Sequence, residues 1–228
     1  MAGVDALDEL RAADARTRAA GNARAVFAFG WKLPAREQVP RRGPLAFIGN
    51  AADRVALRFL KATFLHRHVC EGVLDLPGRR YMLDHGEYAE VHMHGRRWAG
   101  RSGSELSTLR PDRGAFPSPL WLVDILSRAT HATFAGGEVV RGTPCRRVRA
   151  TLDLRDGPPA GAAASSPSLA GIESLHAVPV DVWLDGAHVR RIRLASPHYE
   201  EAMELWSVGA VPDDLDWTRL PTFRTGDR

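Results

Sequence analysis

The stretch that decides the fold is Phe116–Leu154, FPSPLWLVDILSRATHATFAGGEVVRGTPCRRVRATLDL. It opens with a helix signal, because Ser118 suits the N-cap and Pro119 suits the first helical position. The apolar residues that follow form one broad stripe: Leu120, Trp121, Leu122, Ile125 and Leu126. A helix with one strongly apolar face must be covered, so we expect it to pack against a sheet.

Most of the remaining chain is typical of short antiparallel strands. The Asp185-Gly186 pair suits the tight turn of a hairpin. A first amphipathic helix is predicted at 4–20, and turns are predicted at 136–137 and 142–144. Strands are predicted at 25–33, 55–64 (where a helix is the alternative), 69–76, 80–83, 88–93, 96–99, 138–141, 145–154, 178–184, 188–194 and 199–208.

These elements predict a mostly β (α+β) fold. A sheet of about 9–11 strands does not stay flat, so we expect a curled antiparallel half-barrel packed on the N-terminal and the central helix. Alternate side chains would then enclose a hydrophobic cavity. We assign residues 1–228 to a single domain, with the barrel at 23–209, flexible loops at 34–44 and 156–168, and a tail at 210–228.

Composition restricts the class of protein. The chain of 228 residues is 44% hydrophobic and 25% charged, as in ordinary globular proteins. Its net charge of +4 predicts no nucleic-acid partner, and no apolar run reaches the roughly 18 residues of a membrane span. The acidic start MAGVDALDEL lacks the features of a secretory signal. We therefore predict a cytoplasmic protein, with Cys70 and Cys145 as reduced core thiols.

Five stretches in order resemble one family. They are GVLDL (72–76), SPLWLVDIL (118–126), VRGTPCRRVRATLDL (140–154), VPVDVWLDGAHVRRIRL (178–194) and ELWSVG (204–209). Together they resemble actinobacterial proteins of the LolA/LppX-like superfamily, which has the lipoprotein-carrier fold. The resemblance implies a half-open barrel wrapped on helices, with a cavity for lipid or lipopeptide. Exported members carry a signal peptide, often ending at a lipid-modified cysteine. Since the start of this sequence lacks the features of such a signal, we expect a cytoplasmic member.

The strand at 25–33 has two unequal faces. Phe27, Phe29 and Trp31 lie on one face, while the middle positions of the other face are small, Val26, Ala28 and Gly30. Small residues there indicate either close packing of another element or room for a ligand. The residues that we predict to bind the ligand are the aromatic ones, with a place in the core as the alternative: Phe27, Phe29, Trp31, Trp121, Trp183 and Trp206.

Four titratable residues are candidates for catalysis: Glu204, Asp75, His92 and Tyr88. A carboxylate that points into an apolar cavity has a raised pKa and becomes a usable general acid or base. The alternative for Asp75, His92 and Tyr88 is a solvated position. For Glu204 it is an ion pair with Arg147, Arg191 or Arg193.

Two His-x-His pairs, His66/His68 and His92/His94, would each present two imidazoles on one strand face. Ordinary surface positions are the alternative, and we predict no metal and no cofactor. The arginine clusters at 146–149 and 190–193 indicate a solvated sheet face, or recognition of an acidic ligand group.

The function that we predict is binding of an apolar small molecule, lipid-like or polyketide-like. The first alternative is a cofactor-independent cyclase or isomerase that uses the same cavity to hold its substrate in a reactive geometry. A protein-interaction module with an exposed sheet edge is the second alternative. The sequence leaves the choice between binder and enzyme open, because fold does not decide function.

Overall fold

The computed structural model describes residues 5–31, 68–86, 88–110, 118–156, 174–197, 199–211 and 215–221. This part of the chain holds two α-helices, α1 (Ala6–Ala19) and α2 (Pro119–Asp124), and short 3₁₀ helices at Leu106–Thr108 and Ile125–Arg128. Its strands are β1 (Asn22–Trp31), β2 (His68–Asp75), β3 (Arg80–Asp84), β4 (Ala89–Met93), β5 (Arg96–Gly100), β6 (Ala129–Val140), β7 (Thr143–Leu152), β8 (Val178–Leu184), β9 (Val189–Ala195) and β10 (Tyr199–Trp206).

All ten strands belong to one sheet in the order β5-β4-β3-β2-β1-β10-β9-β8-β7-β6. Every described neighbour pair is antiparallel. The sheet curls but does not close, and β5 and β6 stand at its two ends. The predicted mostly β half-barrel of 9–11 strands on two helices is therefore confirmed.

Successive side chains of each strand point to opposite faces of the sheet. We call the face that contacts α1 and α2 the front face and the other one the back face. On the front face, Leu10 of α1 and Trp121 of α2 pack in one cluster with Phe27 of β1, each at most 1% exposed. Burial of each such side chain contributes about 1.5–3 kcal/mol. The described side chains between the helices and the sheet form a packed core.

A buried ionic contact ties the two helices to the sheet. The carboxylate of Asp124, at the end of α2, accepts two hydrogen bonds from Arg79 in the β2–β3 turn, at 2.9 and 2.7 Å. It also accepts one from Arg18 of α1, at 3.3 Å. Arg18 in turn pairs with Asp14 one helical turn earlier. The positions of α1 and α2 relative to β3 are thus linked through one carboxylate.

The back face of β3 to β5 is covered by the segment 215–221. Trp217 and Leu220 of this segment pack in a second cluster with Met82 and Val91. The guanidinium of Arg80 lies 4.3 Å from the ring centre of Trp217. This cover leaves the back face of β1, β10 and β9 as the place where a pocket can form.

Several sequence predictions need correction. The predicted turn at Gly136-Gly137 lies inside β6, where the strand register shifts between Phe134 and Gly137. A bulge in a long strand therefore replaces a turn, because glycine permits the φ of +106° at Gly136. Ser118 occupies the N-cap of α2, but its side chain makes no capping hydrogen bond. The strand predicted at 55–64 lies outside the described residues.

Two other local predictions, the hairpin turn and the buried cysteines, agree with the structure. The Asp185-Gly186 hairpin joins β8 to β9, with the Asp185 carboxylate accepting from two turn N–H groups. Cys70 and Cys145 are buried and not disulfide-bonded. None of the described helices is both long enough and apolar enough to cross a bilayer.

Candidate functional site

A basin with a volume of about 460 Å³ opens on the back face of the sheet. Apolar side chains of β1, β2 and β10 line one part of it, and we call this part the floor: Val26, Ala28, Val69 and Ala202. Charged side chains and one aromatic ring from β6 to β10 line the rest, which we call the wall: Glu138, Arg147, Trp183, Arg191, Arg193, Glu200 and Glu204.

Strand register explains why a basin forms here. Ala28 of β1 lies opposite Ala202 of β10 on one side and Val69 of β2 on the other. Ala202 in turn lies opposite Arg193 of β9. A row of short side chains thus lies beside a row of long ones, and the difference in length leaves open volume. Val69 remains 49% exposed, so apolar surface is available to a ligand.

The wall is a network of ion pairs that joins β9 and β10 to each other, to β6 and to the β6–β7 turn. Glu204 accepts hydrogen bonds from Arg191 at 2.8 Å and from Arg141 at 3.0 Å. Arg193 pairs with Glu200 at 2.8 Å. Arg191 reaches a second carboxylate, that of Glu138, at 2.7 Å. These charges therefore already have counter-charges within the protein.

The pKa shifts follow from these pairs. The hydrogen bond with Arg191 holds the pKa of Glu138 below its ordinary value. Burial lowers the pKa of Arg191, but its bonds to Glu138 and Glu204 outweigh burial and raise it. The bond to Glu200 raises the pKa of Arg193. Glu138, Arg191 and Arg193 therefore stay ionised at physiological pH, and each has a counter-charge in the wall.

Trp183 is held rigidly in the wall. Its indole Nε1–H donates to Glu138 Oε2 at 2.9 Å. The guanidinium carbons of Arg147 and Arg191 lie 5.3 and 5.1 Å from its ring centre, within the range of cation–π contacts. The ring is only 3% exposed, so Trp183 shapes the basin more than it offers surface to a ligand.

A second group of polar side chains is buried on the front face at the β2–β5 end. We call His68, His85, Tyr88, Glu90 and Arg97 the front-face polar cluster. His68 Nε2 and His85 Nδ1 lie 2.6 Å apart, and His85 Nε2 lies 3.5 Å from Glu90 Oε2. Arg97 reaches the same carboxylate oxygen at 3.3 Å. The Tyr88 ring stacks on His85 with 4.2 Å between ring centres. The side chains of His85 and Glu90 are each 1% exposed.

Burial shifts the pKa values around this cluster. It lowers the pKa of His68, and the neighbouring His85 lowers it further. It also lowers the pKa of His92, whose ring stacks on Tyr81 with 5.1 Å between ring centres. The Tyr81 hydroxyl is deeply buried, which raises its pKa well above the ordinary value. Both histidines are therefore mainly neutral at pH 7.

The four catalytic candidates do not converge on one site. Glu204 lies in the basin wall, where it forms the ion pair with Arg191 that we gave as its alternative. Tyr88 belongs to the front-face polar cluster, and His92 lies on the same face of β4 as Glu90. Asp75 lies at the end of β2, where it accepts hydrogen bonds from Gly78 N at 2.9 Å and Arg80 Nε at 2.5 Å.

The six predicted ligand-binding aromatics are also divided between the two faces. Phe27, Phe29 and Trp121 are buried in the front-face core. Trp183 lines the basin, whereas Trp206 lies on the same face with the guanidinium of Arg141 3.9 Å from its ring centre. Trp31 ends β1, and its side chain is outside the described set.

Part of the site was visible in the sequence. The small face of β1, for which the sequence left open close packing or room for a ligand, lines the basin with Val26 and Ala28. Glu200 and Ala202 were missed, since only pairing with β1 and β9 shows where they lie. His85 was missed because it lies in a turn, where no alternation of residues predicts the face to which a side chain points. Within the described residues, no group of three or more His, Cys, Asp or Glu side chains is placed to hold a metal ion.

The half-barrel with its helix-packed front face is an LppX-like fold. The chain is similar to the lipoprotein LppX of Mycobacterium tuberculosis, with a TM-score of 0.54 over 92% of this chain and 97% of that one, at 11% identity. It is also similar to LprF from Mycobacterium bovis, with a TM-score of 0.51 over 93% and 97%, at 10% identity. Identities this low show a shared fold. No protein-family model and no curated protein matches the sequence.

Proposed function

We propose that this protein binds one lipid-like or polyketide-like small molecule in the back-face basin. The observation that carries the proposal is the basin itself, which combines an apolar floor with a polar wall in a volume of about 460 Å³. Pockets for small molecules typically have volumes of about 300–1,000 Å³ and place a few polar groups beside apolar surface. An amphipathic ligand would lay its apolar part on Val26, Ala28 and Ala202.

The wall restricts the polar end of such a ligand. Arg191 and Arg193 are each bonded to a carboxylate, so an anionic ligand would have to displace a glutamate from its arginine. Displacement would leave that glutamate with an uncompensated charge, which is costly where it is partly desolvated. A neutral hydroxyl, carbonyl or amide avoids this cost. We therefore expect a ligand with an apolar body and an uncharged polar end.

The test uses the neutral fluorophore N-phenyl-1-naphthylamine as a probe of the basin. The unmodified protein should bind one probe molecule with enhanced fluorescence. Ala202→Trp should abolish binding, because the indole would occupy the floor. The matched control is Val139→Trp, which adds the same ring at a β6 position that is already 62% exposed. Equal probe binding by Ala202→Trp and the unmodified protein, with both folded by circular dichroism, would refute the proposal.

Native mass spectrometry identifies the natural ligand class. Protein purified from its own producing cells should carry a stoichiometric adduct that organic extraction releases. The adduct should be missing from the Ala202→Trp variant produced in the same cells. An adduct retained by that variant would place the ligand outside the basin.

A cofactor-independent cyclase or isomerase is the alternative function. One observation favours it: the basin wall places two carboxylates, Glu200 and Glu204, beside the apolar floor. Against it, the basin carboxylates Glu200 and Glu204 are engaged by arginines. Turnover discriminates the two: an enzyme that uses Glu204 converts the identified ligand and loses this conversion in Glu204→Gln while it retains binding, whereas a binder releases the ligand chemically unchanged.

The proposed location is the cytoplasm. The support is the low number of cysteines, two in 228 residues, which is usual in a reducing compartment. Fractionation of the producing cells followed by immunoblotting tests this point. Recovery of the protein in the membrane or secreted fraction would contradict it.

A further inference from the structure

The front-face polar cluster contains an arrangement that the proposed binding function does not use. The imidazoles of His68 in β2 and His85 after β3 come from different elements, yet their nitrogens Nε2 and Nδ1 face each other at 2.6 Å. The other ring nitrogen of His85 faces a carboxylate oxygen of Glu90 at 3.5 Å. Three side chains are thus aligned in the order carboxylate, imidazole, imidazole.

The carboxylate determines which nitrogen of His85 carries its proton. A lone pair on Nε2 would be repelled by Glu90, so the favoured form of His85 has its proton on Nε2. The lone pair of His85 is then on Nδ1 and points at His68. A carboxylate behind the remote nitrogen of a histidine is the arrangement that orients metal-binding histidines and makes them better donors. Arg97 forms an ion pair with the same carboxylate oxygen at 3.3 Å and attracts it electrostatically.

We propose that a divalent transition-metal ion binds between His68 Nε2 and His85 Nδ1, with Glu90 as a positioning residue. Imidazole nitrogen suits Zn²⁺, Ni²⁺ and Cu²⁺. Metal–nitrogen bonds of about 2.0–2.1 Å at a tetrahedral angle put the two nitrogens roughly 3.3 Å apart. The pair must therefore open by less than about 1 Å. His68 is only half-buried at the first position of β2, which permits this shift.

Binding requires no oxidation and no net loss of a proton. The ion replaces the hydrogen bond between the two rings, and the proton of His68 moves to its other ring nitrogen. The described residues supply two ligands, and water or an added oxygen donor completes the coordination shell.

The experiment titrates ZnCl₂ into the full-length chain, free of any affinity tag and stripped with a chelator, using isothermal titration calorimetry. We expect one zinc ion per chain. His68→Ala and His85→Ala should each weaken binding at least about tenfold, and Glu90→Gln should weaken it about 10–100-fold. The matched control is His131→Ala, which removes an exposed imidazole on β6 and should change nothing.

Two results would overturn the proposal. One is the lack of zinc binding by the unmodified chain up to about 1 mM at neutral pH. The other is unchanged affinity in His68→Ala, which would assign the zinc to surface histidines. If His85→Ala does not fold, pulsed EPR of Cu²⁺ bound to the unmodified chain takes its place. The proposal then requires that the spectrum show two coordinating imidazoles. Ala202→Trp should keep full zinc affinity, because the basin lies on the opposite face of the sheet. Ligand binding in the basin and zinc binding in the front-face polar cluster can therefore be refuted separately.

Discussion

Asp124 gives the clearest test of how the helices are fixed to the sheet. Its carboxylate joins α1, α2 and the β2–β3 turn through Arg18 and Arg79. The substitution Asp124→Ala removes the acceptor of three hydrogen bonds and leaves Arg79 without this counter-charge, while Arg18 keeps its pair with Asp14. We expect the protein to fold with a lower free energy of unfolding.

The magnitude follows from burial. Removing one partner of a buried ion pair costs about 3–5 kcal/mol, because the other charge is left uncompensated. The side chain of Asp124 is 6% exposed, but those of Arg18 and Arg79 are 33% and 47% exposed. Since water reaches the arginines that remain, we place the loss at the lower end, about 3 kcal/mol. For a chain of this length, the melting temperature should fall by about 6–12 °C.

Urea denaturation followed by tryptophan fluorescence measures the loss. The matched control is Glu105→Ala, which breaks the pair of Glu105 with Arg219. That pair has the same 2.7 Å separation, but its side chains are 54% and 56% exposed. We expect the control to cost less than about 1 kcal/mol. If Asp124→Ala costs no more than Glu105→Ala, burial does not determine the strength of these pairs and the reasoning is wrong.

Two further predictions concern stability. Burial lowers the pKa of His92 below the ordinary 6.5. Below about pH 6.5 the unfolded chain therefore binds a proton at His92 more readily than the folded protein does, and the free energy of unfolding falls as the pH is lowered further. His92→Leu should flatten this decline in urea midpoints measured across pH, and an unchanged slope would contradict the assignment. Gly72→Ala should cost about 3 kcal/mol or more, because its Cβ would lie 1.8 Å from the Met82 carbonyl oxygen. In the control Gly137→Ala the nearest atom lies at 3.4 Å, so a similar cost there would contradict this explanation.

Local patterns were sufficient for much of the fold. The apolar stripe after Pro119, the period-two alternation of Val178–Leu184 and the Asp185-Gly186 turn each depend on residues close in sequence. Such signals fix the type of an element and the face that it buries. The bulge at Gly136 was missed, because Gly-Gly suits a turn and a bulge equally.

The division of the aromatics between two faces could not be read from the sequence. Phe27 and Trp183 are both buried aromatics within strands, yet one packs on α2 and the other forms part of the basin wall. Which face of each strand meets the helices depends on how the chain pairs over long distances. A shift of one residue in register would exchange the two faces.

The sequence by itself determined the class of fold, the two helices and the small face of β1, because these follow from periodicity within about ten residues. The tertiary structure alone decided the candidate sites. Ala28 and Ala202 meet through the pairing of β1 with β10, and His68 meets His85 through the β2–β3 ladder. Both sites join residues from separate elements, and only the register of a folded sheet sets those distances.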